Sequence, residues 1–205
     1  SGFNDITKFM WGAQQTSEDD VVQTGIINWV SWLSNQTTFG YTGPATGLYN
    51  MIDASMYNRI SDDDYRKLLW VAPAGGAMAG MTPMVNAAFS RYLPEYASVK
   101  FRPKDGIYDD HTTGAPVAYP IMRVEEMYFV EAEAAAHQDA ARGKALLEKF
   151  MKDYRYASYA CQFSDTKGVV DEVVFQKRVE LWGEGQTFFD IKRLNMSVTR
   201  GYTGT

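Results

Sequence analysis

The sequence predicts a mainly α-helical chain, with a loop-rich first part over residues 1–118 and a helical second part over 119–205, together forming one continuous domain. Apolar residues recur at helical spacing in long runs only after about residue 119. Before that point, stretches rich in Thr, Gly and Pro alternate with short apolar clusters that lack a clean period. The 205 residues are 45% hydrophobic and 22% charged, an ordinary composition for a chain that buries a core.

Residues 3–11 alternate loosely and end in Phe9-Met10-Trp11-Gly12, a pattern for a short strand closing on a turn. Gln14 to Asp20 is a polar loop. The cluster Ile26, Ile27, Trp29, Val30, Trp32 and Leu33 follows, and Gln36 to Leu48 carries the Thr/Gly composition of loops. Met51, Ile52, Met56 and Tyr57 give one side of a short helix over 49–57. Ser61 or Asp62 is then placed to cap another helix through Trp70, with acids in the first turn and bases after them. Residues 72–84 read as a long loop, 85–92 as a short helix, 99–102 as a strand and 103–106 as its turn.

Pro120 suits the start of a helix running on from Ile121 with Val124, Met127, Tyr128, Glu131, Ala132 and Ala135 on one side. Asp139 caps a second helix bearing Leu146, Leu147, Phe150, Met151 and Tyr154, so the two form an antiparallel hairpin. Small residues at Ala132, Ala134, Ala135 and Ala136 permit close approach. A third helix carries Val174, Arg178, Leu181 and Trp182; Gly183 and Gly185 break it, and a fourth begins near Gln186 with Phe189, Ile191 and Leu194. Burying the Phe and Trp side chains of this stretch would bring Arg178, Glu180, Glu184, Asp190 and Arg193 against apolar surface. An unpaired charge is costly there, so these five are expected to pair with one another in a buried ionic seam.

The run Arg178-Val-Glu-Leu-Trp-Gly-Glu-Gly-Gln-Thr-Phe-Phe-Asp-Ile-Lys-Arg193 resembles the C-terminal signature of the SusD/RagB family, the surface glycan-binding lipoproteins of Bacteroidetes outer membranes. Pro120 to Ala135 resembles that family's other recurrent helix. Lys100-Phe-Arg102, Asp64-Tyr-Arg-Lys67 and Met10-Trp-Gly12 resemble weaker landmarks in the same order. The resemblance runs from about Phe3 to the chain end and covers the C-terminal portion of a usual member. It implies a SusD-like fold in which tetratricopeptide-like helical pairs form a scaffold and a loop-rich remainder carries the ligand face. The 121–154 pair has tetratricopeptide length but lacks the usual Trp and Leu-Gly positions.

The resemblance further implies polysaccharide utilization: capture of an oligosaccharide or other small nutrient for import through a SusC-like TonB-dependent outer-membrane transporter. It also implies a surface-exposed position on the outer membrane, lipid-anchored through an N-terminal cysteine absent from this chain. No signal peptide or lipobox precedes Ser1, so the chain is expected to be a truncated piece.

Net charge is −5, with acidic and basic stretches interspersed, which gives no electrostatic footprint for nucleic acid. The lone Cys161 excludes an internal disulfide and a CxxC metal site, and His111 and His137 stand at no metal-ligand spacing. Asp62 to Asp64 lacks the alternation and turn glycine of a calcium loop, and the glycines of 75–80 lack the Lys-Ser/Thr of a phosphate loop. No cofactor, metal or catalytic residue is expected. A glycosidase would need one carboxyl kept protonated, whereas Glu125, Glu126, Glu131 and Glu133 lie beside Arg123, and Glu180, Glu184 and Asp190 lie among Arg178, Lys192 and Arg193.

Binding chemistry remains. A sugar offers apolar C–H faces ringed by hydroxyls, so its site needs flat aromatic rings with amide or charged groups at their rims. Asn28 to Tyr41 has that composition. Trp29, Trp32 and Tyr41 are the predicted ligand-binding rings, with Asn28, Asn35 and Gln36 as polar partners; the alternative is that at least one Trp fills the core. Two rival functions are a glycoside hydrolase with an aromatic cleft and a tetratricopeptide-like scaffold that binds protein through the 121–195 helices.

Overall fold

The computed structural model describes residues 6–25, 27–81 and 85–198. The expectations for residues 3–5, Ile26, the loop end at 82–84 and the tail 199–205 lie outside the described residues.

The four long helices form where the sequence places them, but the first buries Phe129, Ala132 and Ala135 while Val124, Tyr128 and Glu131 of its expected face are exposed, and the third ends at Glu180, short of Leu181 and Trp182. Helix α5 spans Val124–Gln138, α6 Ala140–Tyr154, α7 Thr166–Glu180 and α8 Gln186–Arg193. Asp139 caps α6 by accepting from the Ala141 and Arg142 N–H groups, and Asp165 caps α7 by accepting from Gly168. Between α7 and α8, Gly183 adopts φ 76° and Gly185 φ 86°, values that L side chains resist. A Cβ on Gly183 would also stand 2.6 Å from the Phe101 ring, so this break must be glycine on two counts.

Helix α7 is the shared wall of two cores. Its Val169, Val170, Val173 and Val174 pack with Phe129, Ala132 and Ala136 of α5 and Leu147, Phe150 and Met151 of α6. Its Phe175 and Val179 turn the other way, into a second core made by Ile52, Met56, Tyr57, Ile60, Trp70 and Ala72. A helix buried on both sides needs apolar residues around most of its circumference, and nine of its residues are buried.

The first part is irregular, as its composition suggests, but several elements differ from expectation. Strand β1, Phe9–Ala13, pairs antiparallel with β2, Tyr119–Arg123, in a two-stranded sheet. Residues 121–123 therefore extend into a strand instead of opening α5; Arg123 has φ −117° and ψ 152°. Short helices α1, Asp20–Gln23, and α2, Trp29–Leu33, follow. Helix α3, Ala54–Arg59, starts after Asp53, whose carboxylate caps it, and not at 49. The next cap is Asp64, neither Ser61 nor Asp62, and it opens a 3-10 turn over Tyr65–Leu69. Residues 87–92 form turns in place of a helix, and 99–102 form no strand, although isolated bridges join Met51 to Ala97 and Trp70 to Ser98. Helix α4, His111–Gly114, is one turn capped by Asp110.

Candidate functional site

The Asn28–Tyr41 segment is built from α2 and the loop after it. Asn28 Oδ1 accepts from the Ser31 N–H at 2.9 Å and from its hydroxyl at 3.0 Å, which starts the helix and fixes its first turn. After the helix the chain doubles back, and the Tyr41 N–H donates to the Ser31 carbonyl at 2.7 Å. The return is close because residue 40 is glycine: a Cβ there would lie 2.6 Å from the Ser31 carbonyl oxygen. The tyrosine ring is thereby laid on Trp32, with centroids 4.2 Å apart and planes inclined by 28°. Trp32 is 52% exposed and Tyr41 38% exposed.

The other predicted site residues turn inward. Trp29 is half-buried, donates its indole N–H to the Val117 carbonyl at 2.9 Å, and packs edge-on against Phe101 and Tyr119. Asn28, Asn35 and Gln36 are buried. Asn35 Nδ2 donates to the Asn50 and Ser98 carbonyls at 2.8 and 2.9 Å, and its Oδ1 accepts from the Asn50 N–H at 2.9 Å. Gln36 Oε1 accepts from the Asn86 N–H at 2.7 Å. These amides replace the strand and helix partners that an irregular backbone lacks. Asn35 has a second effect, since the Asn50 side chain it helps hold donates to the Trp32 carbonyl at 2.7 Å.

The ionic seam exists, with different partners from those expected. Only Asp190 and Arg193 meet within the predicted set, at 2.8 Å. Glu180 is bound by Arg66 at 3.1 Å, Arg155 at 2.7 Å and Arg123 at 3.4 Å. Glu184 takes Lys100 at 2.6 Å and Arg123 at 2.8 Å, and Asp190 takes Lys177 at 3.1 Å. Phe188 and Phe189 do not create the burial, for both are exposed; Leu181 and the second core do. The quoted landmark residues Asp64, Arg66, Lys100 and Arg123 thus converge on one charge cluster, with Asp64 2.6 Å from Arg66.

Burial by itself would raise the Glu180 carboxyl, but Arg155, helped by Arg66 and Arg123, holds it at about 2. Burial pushes the Lys100 ammonium below its usual range against the opposing pull of Glu184. A carboxylate held ionised this firmly cannot deliver a proton to a leaving group near neutral pH. Asp62 pairs with Lys67 and Asp63 accepts from Ser158, so two of the aspartates weighed as calcium ligands are engaged in other contacts. Among the described residues no group of three or more His, Cys, Asp or Glu is arranged to hold a metal ion, and no helix is long and apolar enough to cross a membrane.

A model of the SusD family matches residues 86–203, more than half of the chain. Among solved structures, the SusD-like carbohydrate binding protein from Bacteroides vulgatus ATCC 8482 matches with a TM-score of 0.68 and 23% sequence identity, over 98% of this chain and 37% of that one. At that identity the likeness carries the fold, and the chain spans a little over a third of that protein's length. No curated protein gives a significant match.

Proposed function

Because this chain belongs to the SusD family, we propose that it binds glycan at the cell surface, on the exposed stacked pair of Trp32 and Tyr41, and performs no chemistry on it. The pair is the observation that carries the reading. A partly exposed indole, held in one orientation by a second ring and by hydrogen bonds at Ser31 and Asn50, is preorganised for the C–H face of a sugar. Asn35 and Asn28 act behind the rings as positioning residues, and Trp29 braces the loop from within. In the finer reading the captured oligosaccharide passes to a SusC-like TonB-dependent transporter, from a lipid-anchored position on the outer membrane. The family supports that route.

The test is a titration with plant, fungal and host-mucin oligosaccharides, following tryptophan fluorescence while the same samples are assayed for cleaved product. Saturable binding without cleavage, lost in Trp32→Ala, is the expected result. Cleavage would transfer the chain to the hydrolases, and silence from every sugar would remove the glycan reading for this chain. Co-purification with the channel from an outer-membrane fraction tests the transporter separately.

A further inference from the structure

We infer that the platform engages one pyranose unit at a time, presented by its C–H face to the outer face of Trp32, whatever the length of the chain that carries it. The inference rests on the glycan-binding reading above and specifies its ligand. Two aromatic rings can serve a sugar chain in two ways. Side by side in one plane, they take successive units and read length; stacked, they offer a single face.

Here the rings are stacked, at 4.2 Å and 28°, so the inner face of each is covered by the other. Of the two residues, Trp32 keeps the larger open surface. Trp32 remains 52% exposed with one face covered, whereas Tyr41 is 38% exposed and its backbone is pinned to Ser31. Trp32 is then the docking ring and Tyr41 its backing. Among the described residues neither ring contacts a third aromatic ring, so the stack consists of this pair.

The rim supports the same conclusion. The amides of Asn28, Asn35 and Gln36 are buried, which leaves them no part in tracking a second unit along a chain. The stretch of chain that follows the ring pair instead exposes apolar side chains at Leu48 and Met51. Such surroundings suit a unit whose hydroxyls lie in its ring plane, leaving its C–H bonds to meet the indole.

Calorimetric titration of the full chain tests this, using methyl glycosides and cello-, xylo-, manno- and malto-oligosaccharides from disaccharide to hexasaccharide. For the series that binds, affinity should rise by no more than the number of units offered, and the matching methyl glycoside should compete. Trp32→Ala should abolish binding, while Tyr41→Leu, which keeps an apolar backing, should weaken it less. Tightening by about tenfold or more for each of the first added units would reveal several subsites and overturn the inference while leaving glycan binding intact. The absence of binding to every probe would overturn the glycan reading together with this one.

Discussion

The Lys100 ammonium lies 2.6 Å from the Glu184 carboxylate and donates also to the Glu180 and Trp182 carbonyls, each at 2.9 Å. This buried contact joins the loop-rich part to the turn between α7 and α8. Removing one partner strands the others, at a cost of about 3–5 kcal/mol for a buried ion pair. Lys100→Met is therefore predicted to lower the unfolding free energy by an amount in that range, read as a lower denaturant midpoint with the slope unchanged. A loss below about 1 kcal/mol, the range of exposed pairs, would show that the contact does not form in solution.

Glu180 supplies a pH dependence whose sign follows from its depressed pKa. Unfolded, the carboxyl titrates near the ordinary value of 4.5; folded, its guanidinium partners hold it at about 2. The stabilisation is fully present above the higher value and drains away as pH falls toward the lower one. It amounts to about 3 kcal/mol by linkage. Stability measured from pH 5 downward should fall through this window in the parent protein. In Glu180→Gln it should start lower and fall less steeply.

Asn35 is predicted to matter for binding without touching ligand. Asn35→Ala leaves the Asn50 and Ser98 carbonyls without their side-chain donor, a cost of about 1–3 kcal/mol. It should also weaken sugar binding through Trp32. Asn35→Asp keeps the acceptor but turns a carboxylate toward two carbonyls, so it should be worse than Ala in both measurements. Near-UV circular dichroism would report loss of the fixed Trp32–Tyr41 stack in either variant.

Trp32→Ala is predicted to reduce affinity by at least about 2 kcal/mol, the threshold for a dominant aromatic contact, while leaving thermal stability nearly unchanged because the ring is half exposed. Trp29→Ala is predicted to behave oppositely: it loses a hydrogen bond to Val117 and two edge-on ring contacts, so stability falls first.

What the sequence disclosed follows from the range of the forces involved. Helices α5 to α8 were readable because their signals are local: apolar spacing, the caps at Asp139 and the break at Gly183. Strand β2 was not, since what makes residues 121–123 extended is pairing with β1, more than a hundred residues earlier. The seam shows both cases. Its existence could be read from charges among apolar residues, but Glu180 finds Arg66 across 114 residues of chain, which no local pattern encodes. In the candidate site, composition alone marked Asn28 to Tyr41. It could not separate exposed Trp32 and Tyr41 from buried Asn35 and Gln36, because the amide that would meet a sugar hydroxyl serves an unpaired backbone carbonyl equally well.

The most direct test of the account is a heteronuclear spectrum of the indole N–H groups, recorded as a binding oligosaccharide is added. The chain has 5 tryptophans, so the resonances can be assigned by single Trp→Phe substitutions. The Trp32 resonance is predicted to move with the titration and saturate, while those of Trp29, Trp70 and Trp182 stay in place. A shift confined to Trp11 on β1, with Trp32 unmoved, would contradict it.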